Sequence, residues 1–315
     1  MGNENIMLFY THNPSKFAFS RDKSDFENYL SNLDIDYSNS ENKENQRPFG
    51  LIGVPFDGTT TYRPGARFGP SAVREASYNF ENYNLSFNES LDAIFFDLGD
   101  LEVIHGNAKK TCEKLQETVL ELYGAGIIPI IIGGEHSISW GVISALKEHH
   151  GLEDITVVHF DAHMDIINEY LGEKLSHATV MRRVFDLEPK KIIQIGLRSA
   201  SLEEKNFVDE NSQKIDYYTS YDVKNDEKLI ESIMNRIEGP IYISIDIDVL
   251  DPSQAPSVGN PTPCGLSSFQ IEKFIKILAQ KDVIGLDLVE VASKEIGDIT
   301  SVNGAKIIHD FLCLQ

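Results

Sequence analysis

The chain has 315 residues, 49 of them acidic and 28 basic, and its formal net charge of −21 repels phosphate backbones and anionic membrane surfaces. Nucleic acid and membrane are therefore excluded as expected partners, and small cations, organic or metallic, fit better. Hydrophobic residues at 41% and charged residues at 24% belong to a folded globular protein, long enough for two domains or one large α/β domain.

Residues 1–48 are polar, and SNSENKENQRP, from Ser38 to Pro48, is nearly free of apolar side chains and reads as a linker. The chain thus divides into an N-terminal extension, 1–48, and a main domain, 49–315. Phe9, Tyr10, Phe17, Phe19 and Tyr29 are too many aromatics for a wholly disordered tail, so part of the extension is expected to pack on the main body or on a neighbouring subunit. Cys112, Cys264 and Cys313 lie far apart with no CxxC pair, which fits a reducing compartment. With no leader-like segment and no apolar run long enough for a bilayer, a cytoplasmic location is expected.

From Gly50 onward eight β-like runs follow one another: LIGV, AIFFDLG, IIPIIIGG, ITVVHFD, KIIQIGL, KIDYY, IYISIDID and VIGLDLVEV. Among them lie segments with apolar residues at helical spacing, including Ala108–Tyr123, Ser139–His149, Asp226–Ile237 and Ser267–Gln280. Strands alternating with helices predict a mainly parallel eight-stranded sheet covered on both faces, because parallel strands need crossover connections. Ligands of such sheets bind beyond the carboxyl ends of the strands.

Three strand ends are unusually polar. VVHFDAHMD places Asp161, His163 and Asp165 at alternate positions, which on an extended backbone puts them on one side. SIDIDVLDP repeats the pattern with Asp246 and Asp248, and GGEHS offers His136 after two glycines that free the backbone for a sharp exit. Singly, each has an ordinary reading as a cap, a turn or a hydrogen-bonded histidine. Burying several unpaired carboxylates after apolar runs, however, costs several kcal/mol unless cations pair with them.

Four carboxylates and two imidazoles without a thiolate form a hard to borderline ligand set for two divalent ions, manganese first, with cobalt, nickel and zinc also fitting. Such a pair lowers the pKa of water and supplies hydroxide near neutral pH, so the expected reaction is hydrolysis. His177, in the SHAT loop, is the candidate proton carrier because a histidine titrating near pH 7 suits a shuttle.

In this order the motifs GGEHS, DAHMD, SHATVMRR, SIDIDVLDP and LVEV resemble the ureohydrolase family of arginases and agmatinases, from about Gly50 to near the C-terminus. Residues 53–74, GVPFDGTTTYRPGARFGPSAVR, resemble the agmatinase branch. The resemblance implies a three-layer α/β/α sandwich, two manganese ions per subunit, and a homo-oligomer, trimeric or hexameric. It places one ion on His136, Asp161, Asp165 and Asp246 and the other on Asp161, His163, Asp246 and Asp248. A metal-bridging hydroxide would attack the guanidinium carbon, Asp165 would pass its proton to the leaving amine, and Glu290 would hold the guanidinium plane.

The implied reaction is agmatine plus water to putrescine plus urea, a step of polyamine biosynthesis. After DAHMD the loop IINEYLGEKLS is short and acidic, and Glu169 and Glu173 would tolerate an ammonium end better than a carboxylate. Competing readings are a ureohydrolase acting on guanidinobutyrate, aminopropylagmatine or arginine and, from another class, an inactive metal-holding member. The complete ligand set, with His177 and Glu290, argues against the last. Met164, Ala178 and Cys264 depart from the family pattern without removing a ligand.

Overall fold

A computed structural model describes residues 11–12, 16–31, 47–226 and 228–315. Among them the main sheet has nine strands: β1 (Thr11–His12), β2 (Phe49–Gly53), β5 (Phe95–Leu101), β6 (Ile128–Ile132), β7 (Thr156–Phe160), β8 (Lys191–Leu197), β9 (Ile215–Thr219), β10 (Ile241–Asp246) and β11 (Val283–Val289). A small hairpin of β3 (Tyr83–Asn84) and β4 (Glu89–Ser90) lies apart.

All eight runs read from the sequence are strands, and all eight run parallel; the ninth, β1, is antiparallel at the edge of β5. No apolar pattern announces β1, because its two residues join the sheet through backbone pairing alone.

The helices are α1 (Lys23–Ser31), α2 (Gly69–Ser77), α3 (Ala108–Gly124), α4 (Ser139–His150), α5 (Val180–Phe185), α6 (Leu202–Glu210), α7 (Ser220–Asn225), α8 (Leu229–Asn235), α9 (Ser268–Leu278) and α10 (Ile299–Cys313). Side chains alternate across the sheet into two cores. Ile241, Ile243 and Ile245 of β10 join Val73, Ile233, Phe274 and Phe311 from α2, α8, α9 and α10. Tyr242, between them in sequence, joins Leu115, Val142 and Val184 from α3, α4 and α5 on the other face. This is the three-layer α/β/α sandwich, and burial on both faces is why the strands read as continuous apolar runs.

The helix expected over Asp226–Ile237 is shorter. Thr219 and Asp222 form a capping box that starts α7 early, and Asp226 is extended, at φ −131° and ψ 99°, so α8 starts only at Leu229.

Part of the N-terminal extension packs on the body. Phe17 is buried edge-on against Phe95 at 6.2 Å, its N–H donates to Asp97 Oδ2 at 2.6 Å, and Tyr29 leans on Phe96. Phe19 is exposed. Phe9, Tyr10 and residues 38–46 of the expected linker lie outside the described residues.

Across the sheet the order is β1-β5-β2-β6-β11-β10-β7-β8-β9. β6 and β7 are consecutive in sequence yet separated by β11 and β10, so the chain reverses its winding here and opens a crevice at the carboxyl ends. The four strands at that crevice lead into GGEHS, LVEV, SIDIDVLDP and DAHMD.

Candidate active site

β7 ends at Phe160, so Asp161, His163 and Asp165 do not lie on one extended strand, contrary to the expectation from their spacing. The ladder to β8 persists briefly, with Asp161 N–H donating to Ile195 O and Ala162 O accepting from Arg198 and Ser199. The chain then turns, and Asp165 takes a left-handed φ of 49°. Asp246 closes β10, and Asp248 follows in a 3-10 turn whose N–H donates to Asp246 Oδ1 at 2.8 Å.

GGEHS also differs in its cause. Neither Gly133 nor Gly134 has a positive φ. A Cβ on Gly134 would sit 1.9 Å from the carbonyl oxygen of Phe56, so close backbone approach rather than conformational freedom requires glycine there.

The loops nevertheless bring the six residues together. His136 Nδ1 lies 3.2 Å from Asp161 Oδ2, 3.4 Å from Asp165 Oδ2 and 3.5 Å from Asp246 Oδ2. His163 Nδ1 lies 3.1 Å from Asp248 Oδ2 and 3.4 Å from Asp161 Oδ1. The Asp161 carboxylate therefore has one oxygen in each half of the cluster. Among the described residues, ligating atoms within 4.8 Å of one another form two groups, one of His136, His159 and Asp161 and one of Asp161, His163 and Asp248, sharing that carboxylate.

Hydrogen-bond counting fixes how His136 presents itself. Ser244 Oγ gives its single proton to Asp287 Oδ1 at 2.7 Å, so at the 2.9 Å contact with His136 Nε2 the imidazole is the donor. In neutral His136 the Nδ1 lone pair then faces three carboxylate oxygens, and this fully buried nitrogen has no hydrogen-bond partner. A lone pair aimed at three anionic oxygens is a site for a cation, and the residues fit one.

Crowded acids strain the local electrostatics. Burial, then the charge of Asp161, pushes Asp165 up to about 7; burial, then Asp248 and Asp161, pushes Asp246 well above the carboxylate range. Burial would also raise Asp161, but the imidazoles of His136, His159 and His163 around it hold it well below its usual value. Burial likewise opposes protonation of His163, yet Asp248 and Asp161 carry it to about 12.

His163, Asp165, Asp246 and Asp248 line a cavity of about 250 Å³ with His177, Ala178 and Glu290, while His136 and Asp161 are fully buried behind its wall. Glu290, at φ 66°, accepts the His136 N–H on Oε1 at 2.9 Å, and burial followed by the charge of Glu135 raises it to about 8. His177 sits in a 3-10 turn with its ring edge-on to Tyr170 at 5.7 Å. Burial, then the neighbouring His136 and His163, lowers it to about 4, below the value near 7 expected of a shuttle.

Glu169 and Glu173 are exposed and do not line the cavity; the acid that does, beyond those already named, is Glu204. Its carboxylate accepts from Ser201 N–H at 2.7 Å and Ile166 N–H at 3.2 Å. The S-x-x-E capping box at Ser201 was visible in the sequence, but it foretells a helix start, not a cavity wall.

Two further residues went unread. His159, inside an apolar run, reaches Asp161 Oδ2 at 3.0 Å. Arg198 donates to the carbonyl oxygens of Asp248, Leu250 and Thr262, tying together the loops around His163. Met164 is buried in the core, and exposed Cys264 holds φ 69°, a conformation that suits the glycine it replaces.

Fold and site define the class: a three-layer α/β/α protein with acids and imidazoles clustered at the carboxyl edge of a parallel sheet. The chain belongs to the arginase family, whose model matches residues 47–313. It is 50% identical over 297 residues to an uncharacterised 32.2 kDa protein of Methanothermus fervidus, covering 94% of this chain and 97% of the relative. It is 39% identical to the N(1)-aminopropylagmatine ureohydrolase of Thermococcus kodakarensis, covering 82% and 88%. The crystal structure of agmatine ureohydrolase of Thermoplasma volcanium superposes with a TM-score of 0.76 at 35% identity, over 85% of this chain and 90% of that one. The protein is an enzyme, a ureohydrolase of the arginase family.

Proposed function

We propose that the protein hydrolyses a guanidinium substrate to urea and an amine with two divalent cations, manganese foremost, and that its substrate is agmatine, giving putrescine. The observation that carries this reading is the pair of imidazole nitrogens, His136 Nδ1 and His163 Nδ1, each facing carboxylate oxygens on its own side of Asp161. His136, Asp161, Asp165 and Asp246 would hold one cation; Asp161, His163, Asp246 and Asp248 the other. Bound there, the pair supplies a hydroxide near neutral pH by lowering the pKa of water.

The remaining steps belong to the chain. Glu290 is fixed by the His136 N–H on one oxygen, and its carboxylate is suited to hold the guanidinium plane over the cluster. Asp165 hands a proton to the leaving amine, which departs poorly as an amide ion. His177 exchanges protons between the cavity and solvent.

Tail selection rests on charge. Among the described residues the cavity wall holds no Lys or Arg, and Glu204 faces it, so a terminal ammonium is attracted and a terminal carboxylate repelled. Aminopropylagmatine, whose tail is also cationic, satisfies the same wall. As the family resemblance implies, the chains would assemble as trimers or hexamers; a cytoplasmic location rests instead on the three scattered cysteines, which suit a reducing compartment.

The test is urea release by the manganese-reconstituted protein from agmatine, aminopropylagmatine, arginine and guanidinobutyrate. The two cationic-tailed guanidines are expected to give the higher kcat/KM. Preference for guanidinobutyrate would overturn the tail reading, and no urea from any of the four would overturn the hydrolase.

A further inference from the structure

GGEHS contains a second polar residue that the proposed reaction does not use. Glu135 is fully buried and its carboxylate accepts three hydrogen bonds. Thr59 N–H reaches Oε2 at 2.6 Å; Thr59 Oγ1 and Ser137 Oγ reach Oε1, each at 2.6 Å. A buried carboxylate with every near donor turned toward it orients those donors, and one of them touches His177.

Thr59 Oγ1 lies 3.2 Å from His177 Nδ1 and accepts the backbone N–H of His177 at 3.1 Å. A hydroxyl has one proton and two lone pairs. Here the proton goes to Glu135 and one lone pair to the His177 amide, so only an acceptor site remains for the ring. Nδ1 must then carry a proton, and in the neutral imidazole Nε2 does not.

We propose that Glu135, through Thr59, is a positioning residue for His177, holding the cavity-lining imidazole as the tautomer protonated on Nδ1 with a free lone pair on Nε2. The arrangement follows general acid–base logic, in which a third group orients the base so that the correct nitrogen meets the proton. This rests on the reading of His177 as proton carrier. A plain staple for the loop would need only the contact between the His177 amide and Thr59.

The tautomer can be read by nitrogen NMR on histidine-labelled protein loaded with diamagnetic zinc, the His177 signals being identified by their loss in His177→Asn. The wild type is expected to show the Nδ1-protonated pattern. Glu135→Gln keeps the shape but places an amide donor against Thr59 Oγ1, so the hydroxyl is freed to donate to Nδ1 and the pattern is expected to switch to Nε2-protonated. Thr59→Val should lose the fixed tautomer and lower kcat on manganese about tenfold or more with KM little changed, and Thr59→Ser should recover most of it.

Metal content, measured alongside, is expected to stay at the wild-type level in all three variants, separating this effect from damage at the neighbouring His136. An Nε2-protonated wild type, or an unchanged tautomer in both Glu135→Gln and Thr59→Val, would overturn the inference. A switched tautomer with unchanged turnover would uphold the positioning and overturn instead the proton-carrier role of His177.

Discussion

At the scale of single residues, chemistry was legible where geometry was not. Residue types and motif order singled out His136, Asp161, His163, Asp165, Asp246, Asp248, His177 and Glu290, and the fold brings all of them to one cavity or its floor. The alternation argument for DAHMD failed because the strand stops at Phe160 and Asp165 adopts a left-handed backbone, which spacing alone does not reveal. Glu204 was missed for a related reason: only the return of β8 toward α6 carries it to the cavity. Glu204→Gln preserves the capping box, since glutamine also serves at that position, while removing the charge. Agmatine kcat/KM is expected to fall about tenfold, near 1.4 kcal/mol, with stability little changed. Steady-state kinetics on agmatine and guanidinobutyrate check this; equal loss on both would contradict selection by charge.

Elements are held in place by buried polar contacts as well as by the two apolar cores. Arg74 of α2 is fully buried and pairs with Asp97 and Asp100 on β5, donating from Nε at 2.8 Å and Nη2 at 2.9 Å to Asp97 and from Nη1 to Asp100. Arg74→Met leaves two buried carboxylates without their cation and is expected to destabilise the protein by about 3–5 kcal/mol, measured by denaturant unfolding. A loss under 1 kcal/mol would mean the pair is not closed in solution.

On α10, His309 donates to Glu81 O at 2.8 Å and stacks at a tilt on Phe80. Burial opposes its charge, but Asp310, itself paired with Lys306, and Cys313 raise it to about 9 from 6.5. A raised folded-state pKa stabilises the fold fully below 6.5, and that contribution is lost as pH rises through about 9. His309→Gln keeps a donor for Glu81 and is expected to flatten the decline in thermal stability across that window. The same slope in the variant would assign the decline to other groups.

For the whole molecule, the eight parallel strands and their direction were legible because parallel strands buried on both faces must be apolar throughout, and eight such runs stood out. Strand order was not, since it depends on where the crossovers lead. That order puts β11 and β10 between β6 and β7 and so gathers four polar strand ends at one crevice. The edge strand β1 and the burial of Phe17 were only partly legible, as backbone pairing and a lone aromatic leave little pattern. Among the described residues no helix is long and apolar enough to cross a membrane. The excess of acid over base, 49 against 28, is matched at the crevice by a cluster whose lone pairs and carboxylates call for cations. The most direct measurement is anomalous diffraction at the manganese edge from crystals of the manganese-loaded protein. Two peaks are expected, one beside each oxygen of Asp161, both lost in Asp161→Asn; a single peak, or two peaks that persist in the variant, would contradict a two-cation site bridged by that carboxylate.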